Sequence, residues 1–463
     1  MKKRFVALWM TIHCVAVAEC KAPNIVMVLI DDMGWADFSC FGNADAETPN
    51  IDRMAREGLS FSQFYVNSPI CSPSRVAFST GQYPQRWQIT SYLASREQNT
   101  RRGMAQWLDP KAPMLARSLQ EAGYLTGHFG KWHMGGQRDV CDAPAISAYG
   151  FDQSLTNFEG MGAKLLPLIT RADGSVGKIW EDAENLGEPI TWMQRARITS
   201  GFIDATIPFI EKAHTAGKPF YANLWLDDVH SPFWPSVEEL RAHQGNTRKL
   251  YLSVLEEMDR QLSKLFDHLR DHDSLRNNTI VLICSDNGPE KGAGSAGHLR
   301  GYKTQLYEGG IRSSLIVWAP ALMNPMMIGQ RNSGSVFSAI DLAPSLLSLA
   351  GVKNDRNIPY DGENLADTIL GKSQNSRKAP LHFSRPPDRK SYYGDKQLPD
   401  LAIRDGDWKL LCDYDGSRAS LYDLASDPHE RQNLVERERE ISLRMISEIQ
   451  KWHLSFKNAN HHQ

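Results

Sequence analysis

"NIVMVLIDDMGW", residues 24–35, is an apolar run that halts on two adjacent aspartates. A short continuous apolar stretch closed by turn-forming residues reads as a strand buried on both faces, the kind found in parallel sheets. Its neighbours carry the complementary signal. "TPNIDRMAREG" (48–58) offers Thr48 as N-cap, Pro49 at the first helical position and Gly58 as stop. "APMLARSLQEAGYLTGHFGKWH" (112–133) reads as helix, turn and strand, and "KPFYANLWLDDVHSPF" (218–233) as a strand entering a loop with His230. Residues 247–269 place Leu250, Val254, Leu255, Met258, Leu262, Leu265 and Phe266 at helical spacing. "TIVLICSDNG" (279–288) is a second buried strand ending in an acid, and "SLIVWAP" (314–320) a third. Strands alternating with helices define an α/β fold around a large, mostly parallel sheet flanked by helices. In such folds the chemistry sits at the carboxyl ends of the strands. That rule puts Asp31, Asp32, His133, His230, Asp286 and Asn287 along one edge.

The ends of the chain read differently. "MKKR" followed by an apolar stretch and Ala16-x-Ala18 has the form of a signal peptide, residues 1–18, which implies an exported protein, periplasmic or secreted. No later segment is long and apolar enough to span a bilayer. Glu19 before Cys20 is a poor match to a lipoprotein signal. From about residue 375 the texture shifts to Pro-, Arg- and Tyr-rich loops, short strands and a terminal helix near 434–454 with Leu443, Ile446, Ile449 and Trp452 as its apolar side. The expected organisation is an α/β domain over 19–374 and a small C-terminal α+β subdomain over 375–463. With 41% hydrophobic and 23% charged residues the composition is ordinary for a globular chain. A net charge of −2, with no basic run, argues against nucleic-acid binding. Seven cysteines without a CxxC pair exclude a disulfide scaffold and a zinc ribbon; Cys284, inside an apolar run, reads as a core thiol.

Two clusters carry chemistry. Asp31, Asp32 and Asp286, joined by the amide of Asn287, would repel one another at a sheet edge unless a cation sits among them. Oxygen-only ligands favour a hard ion, Ca²⁺ or Mg²⁺, over zinc. An aspartate after a strand is more often a plain turn former, so the argument rests on two such strand ends meeting. "NSPICSPSRVAFSTGQYP" (67–84) places Cys71 at the start of a helix, with Pro73 in its first turn and Arg75 one turn on. A helix N-terminus beside an arginine suits an oxyanion and would lower a thiol pKa. A half-disulfide is the bland alternative.

"CSPSR" followed by "VAFSTGQYP" resembles the signature of the formylglycine-dependent sulfatases, arylsulfatase-like members of the alkaline phosphatase superfamily. The similarity extends to "PNIVMVLIDDMGWADFSCFG", "ETPNIDRMAREGLSFSQFYV", "GYLTGHFGKWHMG", "DDVHSPF", "TIVLICSDNGP", "LRGYKTQLYEGGIR", "AIRDGDWKLL" and "LYDLASDPHERQNL", in family order over most of the chain. The resemblance implies hydrolysis of sulfate esters, with sulfated carbohydrate as the expected substrate. It implies that a formylglycine-generating enzyme oxidises Cys71 to an aldehyde, whose hydrate attacks sulfur beside a Ca²⁺ held by Asp31, Asp32, Asp286, Asn287 and Cys71 itself. Arg75 and Lys131 would position the hydrate, Lys303 would bind sulfate, His230 would protonate the leaving alcohol and His133 would deprotonate the remaining hydroxyl. Departures are Gln82, where relatives often have arginine, and Tyr302 and Thr304 flanking Lys303, where glycines are common. His298, Arg300, Trp87, Trp132 and the loop "HFSRPPDRKSYY" are further candidates for shaping the substrate site. Two other readings compete: a phosphatase or phosphodiesterase of the same superfamily, disfavoured by the lack of a second histidine-rich metal set, and a sulfated-glycan binding protein with a dead site.

Overall fold

The computed structural model describes residues 22–354, 357–389 and 393–459. The signal-peptide reading, with Cys14 and Cys20, and residues 390–392 of the basic-aromatic loop lie outside the described residues. The centre is a 12-stranded mixed sheet. Its core strands, labelled in chain order, are β1 Asn24–Ile30, β2 Leu59–Tyr65, β3 Leu125–Gly130, β4 Phe220–Leu226, β5 Thr279–Ser285 and β6 Arg312–Trp318. They lie in the order β2-β6-β5-β1-β4-β3. β1 pairs in parallel with β4 and β5, and β3 with β4, while β6 runs antiparallel to both β5 and β2. The run 314–320 is thus a buried strand as read, but of opposite sense. Continuous burial is why β1, β4 and β5 lack alternation: every residue of each is buried, because helices cover both faces.

Two apolar layers sandwich the sheet. On one face the long helices Ile198–Thr215 and Thr247–Asp271 pack on Val26, Val28 and Ile30; on the other, the helices Cys71–Thr80 and Ala339–Leu349 pack on Ile25, Met27 and Leu29. Each fully buried Leu or Ile of these layers contributes about 2 kcal/mol. The helix Pro49–Glu57 begins after Thr48 as expected, yet the Thr48 hydroxyl donates to Asp52 rather than capping the turn. Its free N–H groups are taken instead by Asp259 of the long helix, whose carboxylate accepts from Asn50 N at 3.1 Å and Ile51 N at 2.8 Å. That cap is a tertiary contact and is invisible in the local sequence.

A four-stranded antiparallel sheet, Leu381–Ser384, Leu401–Asp405, Trp408–Cys412 and Ser420–Asp423, forms the small C-terminal unit. The terminal helix Arg439–Ala459 covers it, but with Met445 and Ile449 as the buried positions. Leu443 points outward, 61% exposed, which corrects that one position of the apolar side assigned from sequence; Ile446, Ile449 and Trp452 pack inward as read. The five described cysteines are free thiols, and Cys284 is fully buried in the core. No helix among the described residues is long and apolar enough to cross a membrane.

Candidate active site

Parallel strands deliver their C-terminal ends to one edge, and the candidate residues converge there. Asp31 and Asp32 leave β1, Lys131 and His133 leave β3, His230 follows β4, and Asp286 and Asn287 leave β5. Asp32 and His133 both adopt positive φ, 59° and 54°, so each strand end turns sharply and redirects its side chain. Asp32 N–H donates to Asp286 Oδ1 at 3.2 Å, tying the two acidic strand ends together.

Into this edge runs the helix Cys71–Thr80, buried over its whole length with Cys71 at its first position. Arg75, one turn on, is also fully buried. Its Nε donates to Asp286 Oδ2 at 3.0 Å and its Nη1 to the Lys131 carbonyl at 2.9 Å, with Asp31 at 3.6 Å and the Trp225 ring 5.2 Å away. Lys131 Nζ donates to Asp31 Oδ2 at 2.5 Å, and Lys303 Nζ to Asp32 Oδ2 at 2.5 Å. His230 Nε2 stands 3.4 Å from Asp32 Oδ2 and 3.4 Å from Lys303 Nζ, while its Nδ1–H donates to the Ser231 carbonyl at 2.7 Å. His133 Nε2–H donates to the Leu93 carbonyl at 3.0 Å and faces Glu159 Oε1 at 3.2 Å. Because a carbonyl only accepts, Nε2 carries the proton and the lone pair of neutral His133 is on Nδ1, which is buried with no hydrogen-bond partner among the described residues.

The electrostatics follow from burial working against close partners. Burial opposes the ionisation of Asp31, but Lys131 and Arg75 outweigh it and hold this carboxyl well below the usual range. Burial, together with the charge of Asp31, pushes Asp286 well up despite Arg75. Burial also holds His133 down to about 4 against the pull of Glu159, and raises Glu159 to about 7. The Cys71 thiol moves opposite to the sequence expectation. Burial drives its pKa up, and Lys131 offsets this only in part. The helix terminus is present, but Arg75 is committed to Asp286 and Asp31.

The donor set fits a hard cation. Oxygens of Asp31, Asp32 and Asp286 lie within 4.8 Å of one another. Asp31 Oδ1 and Asn287 Oδ1 are buried without a hydrogen-bond partner among the described residues. Buried oxygens without donors are costly unless a positive charge meets them. Asn287 is oriented for this by its own amide, whose nitrogen donates to Asp32 Oδ1 at 2.8 Å and the Gly288 carbonyl at 2.9 Å.

A cavity of about 390 Å³ opens above Cys71 and is lined by Lys131, His133, His230 and Lys303. Sequence reasoning missed much of its wall. Tyr92, Arg138, Phe158, Glu159 and Trp180 come from loops without periodicity or motif, and Phe158 and Trp180 stack with centroids 3.9 Å apart. The resemblance-based candidates divide. Arg389 of the basic-aromatic loop and Thr304 line the cavity. Trp132 instead packs in the core against His128 and Tyr149, and Trp87 donates to Gln82 Oε1 at 3.1 Å. His298 packs on Trp35 and His429, and Arg300 lies over Tyr307 and donates to the Glu430 carbonyl. None of these four lines the cavity. Gln82 donates to the Pro359 carbonyl at 2.9 Å, a structural contact, and Tyr302 donates to Asp395 beside the mouth.

A buried cysteine at a helix N-terminus, an acidic cluster suited to a cation and two lysines meet at the strand ends of an alkaline-phosphatase-like fold, an arrangement that suits a hydrolase. Residues 23–352 match the Sulfatase family model, and residues 298–454 match the C-terminal model of N-sulphoglucosamine sulphohydrolase. The chain belongs to the sulfatase family, the type I sulfuric ester hydrolases. It is 31% identical to the N-acetylgalactosamine-6-sulfatase of Canis lupus familiaris over 376 residues, 78% of this chain and 68% of that protein. It is 28% identical to arylsulfatase G of Homo sapiens, over 78% of this chain and 71% of that one. The crystal structure of Ps i-CgsB in complex with k-i-k-neocarrahexaose superimposes with a TM-score of 0.76 at 27% identity, covering 93% of each chain. The chain spans about two thirds of the length of the N-acetylgalactosamine-6-sulfatases it matches.

Proposed function

We propose that this protein is an exported carbohydrate sulfatase that acts through a formylglycine at Cys71 and one bound Ca²⁺. The observation that carries the reading is the placement of Cys71. It sits at a helix N-terminus, on the floor of a cavity that also presents Lys131, Lys303 and both histidines. A maturation enzyme, using an oxidant of its own, would convert the CH₂SH of Cys71 to CHO with the sulfur leaving as sulfide, and water would add to give the hydrate. Asp31, Asp32, Asp286 and Asn287 would hold the cation, which supplies fixed positive charge beside the sulfate oxygens.

The chain's own groups then divide the work. One hydroxyl of the Cys71 hydrate passes its proton to a carboxylate of the neighbouring acidic cluster and attacks sulfur as the bond from sulfur to the ester oxygen breaks. Lys303 binds the sulfate, and Arg75 and Lys131 position the hydrate. His230 gives the departing alcohol its proton; the ester's negative charge, arriving beside the ring, favours the protonated imidazole. His133, with its lone pair on Nδ1, takes the proton of the second hydroxyl. The carbonyl re-forms, the bond from carbon to the sulfate oxygen breaks, and sulfate departs. An unmodified thiol has no second hydroxyl and could not close this cycle. Carbohydrate is the favoured substrate class because the relatives include N-acetylgalactosamine-6-sulfatase, and because Trp180, Phe158 and Tyr92 give the cavity flat apolar walls beside Arg138 and Arg389.

The test is mass spectrometry of the Cys71 peptide from protein made in its native host, paired with sulfate release from defined sulfated sugars. Conversion of CH₂SH to CHO with sulfate release is the expected result. An unmodified thiol in protein that still releases sulfate would overturn the mechanism, and tight binding of a sulfated sugar without release would overturn the activity.

A further inference from the structure

The long helices Ile198–Thr215 and Thr247–Asp271 pack side by side and end just before β4 and β5 begin, at the sheet edge opposite the cavity. Three metal-ligating side chains meet there. Glu211 Oε1 and His268 Nε2 face each other at 2.8 Å. Both atoms are buried and, among the described residues, make no hydrogen bond apart from this ion pair. His272 lies one turn beyond His268, their ring centroids 4.6 Å apart. The ligating atoms of the three residues lie within 4.8 Å of one another. His272 Nδ1–H donates to the His268 carbonyl at 2.8 Å, which fixes the tautomer and leaves the lone pair on Nε2. Metal-bound imidazoles are typically held in this way through the second nitrogen. His214, on the next turn from Glu211, shares a hydrogen bond of 3.3 Å with the Ser274 hydroxyl and is not one of the three clustered ligands.

We propose that Glu211, His268 and His272 form a second metal site, for a borderline divalent transition ion of the zinc type, bridging the two long helices. Histidines four apart on one helix share a face and can bind one ion together. Two nitrogens and one carboxylate suit Zn²⁺, Cu²⁺ or Ni²⁺, whereas the all-oxygen cluster at the other sheet edge suits a hard ion. An ordinary half-exposed ion pair accounts for Glu211 and His268. It makes no use of the third ligating atom, supplied by His272 within 4.8 Å of the other two, which an ion shared by all three would take up. Three protein ligands leave the remaining position to water.

The full-length protein is titrated with Zn²⁺ in excess Ca²⁺, which occupies the oxygen cluster, and compared with His268→Ala and His272→Ala. All three proteins keep the terminal histidines His461 and His462, so binding there drops out of the comparison. Because the site joins two helices, Zn²⁺ at a hundredfold over Kd raises the wild-type Tm by about 3 °C. The rise is about 1.5 °C or less in either variant as Kd weakens at least tenfold, and sulfate release without added zinc is unchanged. His272→Gln, at an exposed position, substitutes should the alanine variants fold poorly. An equal Tm response in all the proteins, or none in the wild type, overturns the site.

Discussion

Glu159 is the residue whose role the geometry adds most sharply. Its carboxylate lies 3.2 Å from His133 Nε2, the protonated nitrogen, and so steadies the tautomer that leaves Nδ1 basic. It is a positioning residue, acting through His133. Because burial raises Glu159 to about 7, it carries charge above that pH and loses it below. Wild-type kcat is therefore expected to fall as pH drops through about 7. Glu159→Gln should lower the kcat plateau by about tenfold, the lower end of what such supporting partners contribute, leave KM within twofold and abolish that limb. Steady-state pH profiles of both proteins check this; an unchanged limb in the variant would remove Glu159 from the mechanism. Residue by residue, the legible part of the site was the part attached to strands. Asp31, Asp32, Asp286 and Asn287 announce themselves because polar residues abruptly close apolar runs. Glu159, Phe158, Trp180, Tyr92 and Arg138 sit in irregular loops, where position depends on tertiary packing and leaves no periodic trace. The thiol pKa of Cys71 was misread for a related reason, since burial is a property of the folded whole.

At the scale of elements, one glycine and one histidine show how strand ends and helices are held in place. Gly130 closes β3 just before Lys131, with φ of 117°, and a Cβ added there would lie 1.9 Å from the Trp225 carbonyl oxygen of β4. No side chain can be accommodated without parting the two strands. Gly130→Ala should destabilise by more than about 4 kcal/mol, appearing as a large Tm loss or as insoluble protein in a thermal melt and solubility assay. His382 stacks on Trp452 of the terminal helix with ring centroids 5.3 Å apart. Burial, with Arg377 adding to it, holds His382 down to about 4. Above pH 6.5 the ring is neutral whether the chain is folded or not, and its contribution is intact. As pH falls from 6.5 towards 4 the unfolded chain gains a proton that the folded chain refuses, so stability is lost by roughly 3 kcal/mol over that window. His382→Gln should flatten the Tm-against-pH slope between 4 and 6.5, leaving a residue from His128 and His133, which burial holds down to about 3 and about 4. A slope identical to wild type would show that the docked helix does not sense this ring. The terminal helix was legible, and so was most of its buried side: Ile446, Ile449 and Trp452 pack inward as read, while the sheet beneath selects Met445 in place of Leu443.

Across the whole molecule the two sheets behave as one body because their boundary is both apolar and charged. Tyr65, Leu306 and Ile311 of the large unit share one core with Leu381, Phe383, Ala402, Leu411 and Tyr422 of the small one. At its centre Lys409 Nζ, fully buried, meets Glu308 Oε1 at 2.9 Å and Glu430 Oε1 at 2.8 Å. Glu308 in turn accepts from Tyr65 at 2.5 Å and faces Arg312 at 3.3 Å. Burial alone would raise Glu308, but Lys409 and Arg312 hold it at about 2. Glu308 lies in the same segment as Lys303, so the charge network of the small sheet anchors the loop that brings a lysine to the cavity. Lys409→Met keeps the volume and removes the charge, leaving carboxylates buried without their cation. Breaking a buried pair from one side costs about 3–5 kcal/mol, which in a chain of this size corresponds to a Tm decrease of about 4 °C. Differential scanning calorimetry should show a single transition in the wild type and a single, lower one in Lys409→Met. Two resolved transitions in either protein would mean that the small sheet folds independently, and the Lys303 loop would then need another anchor.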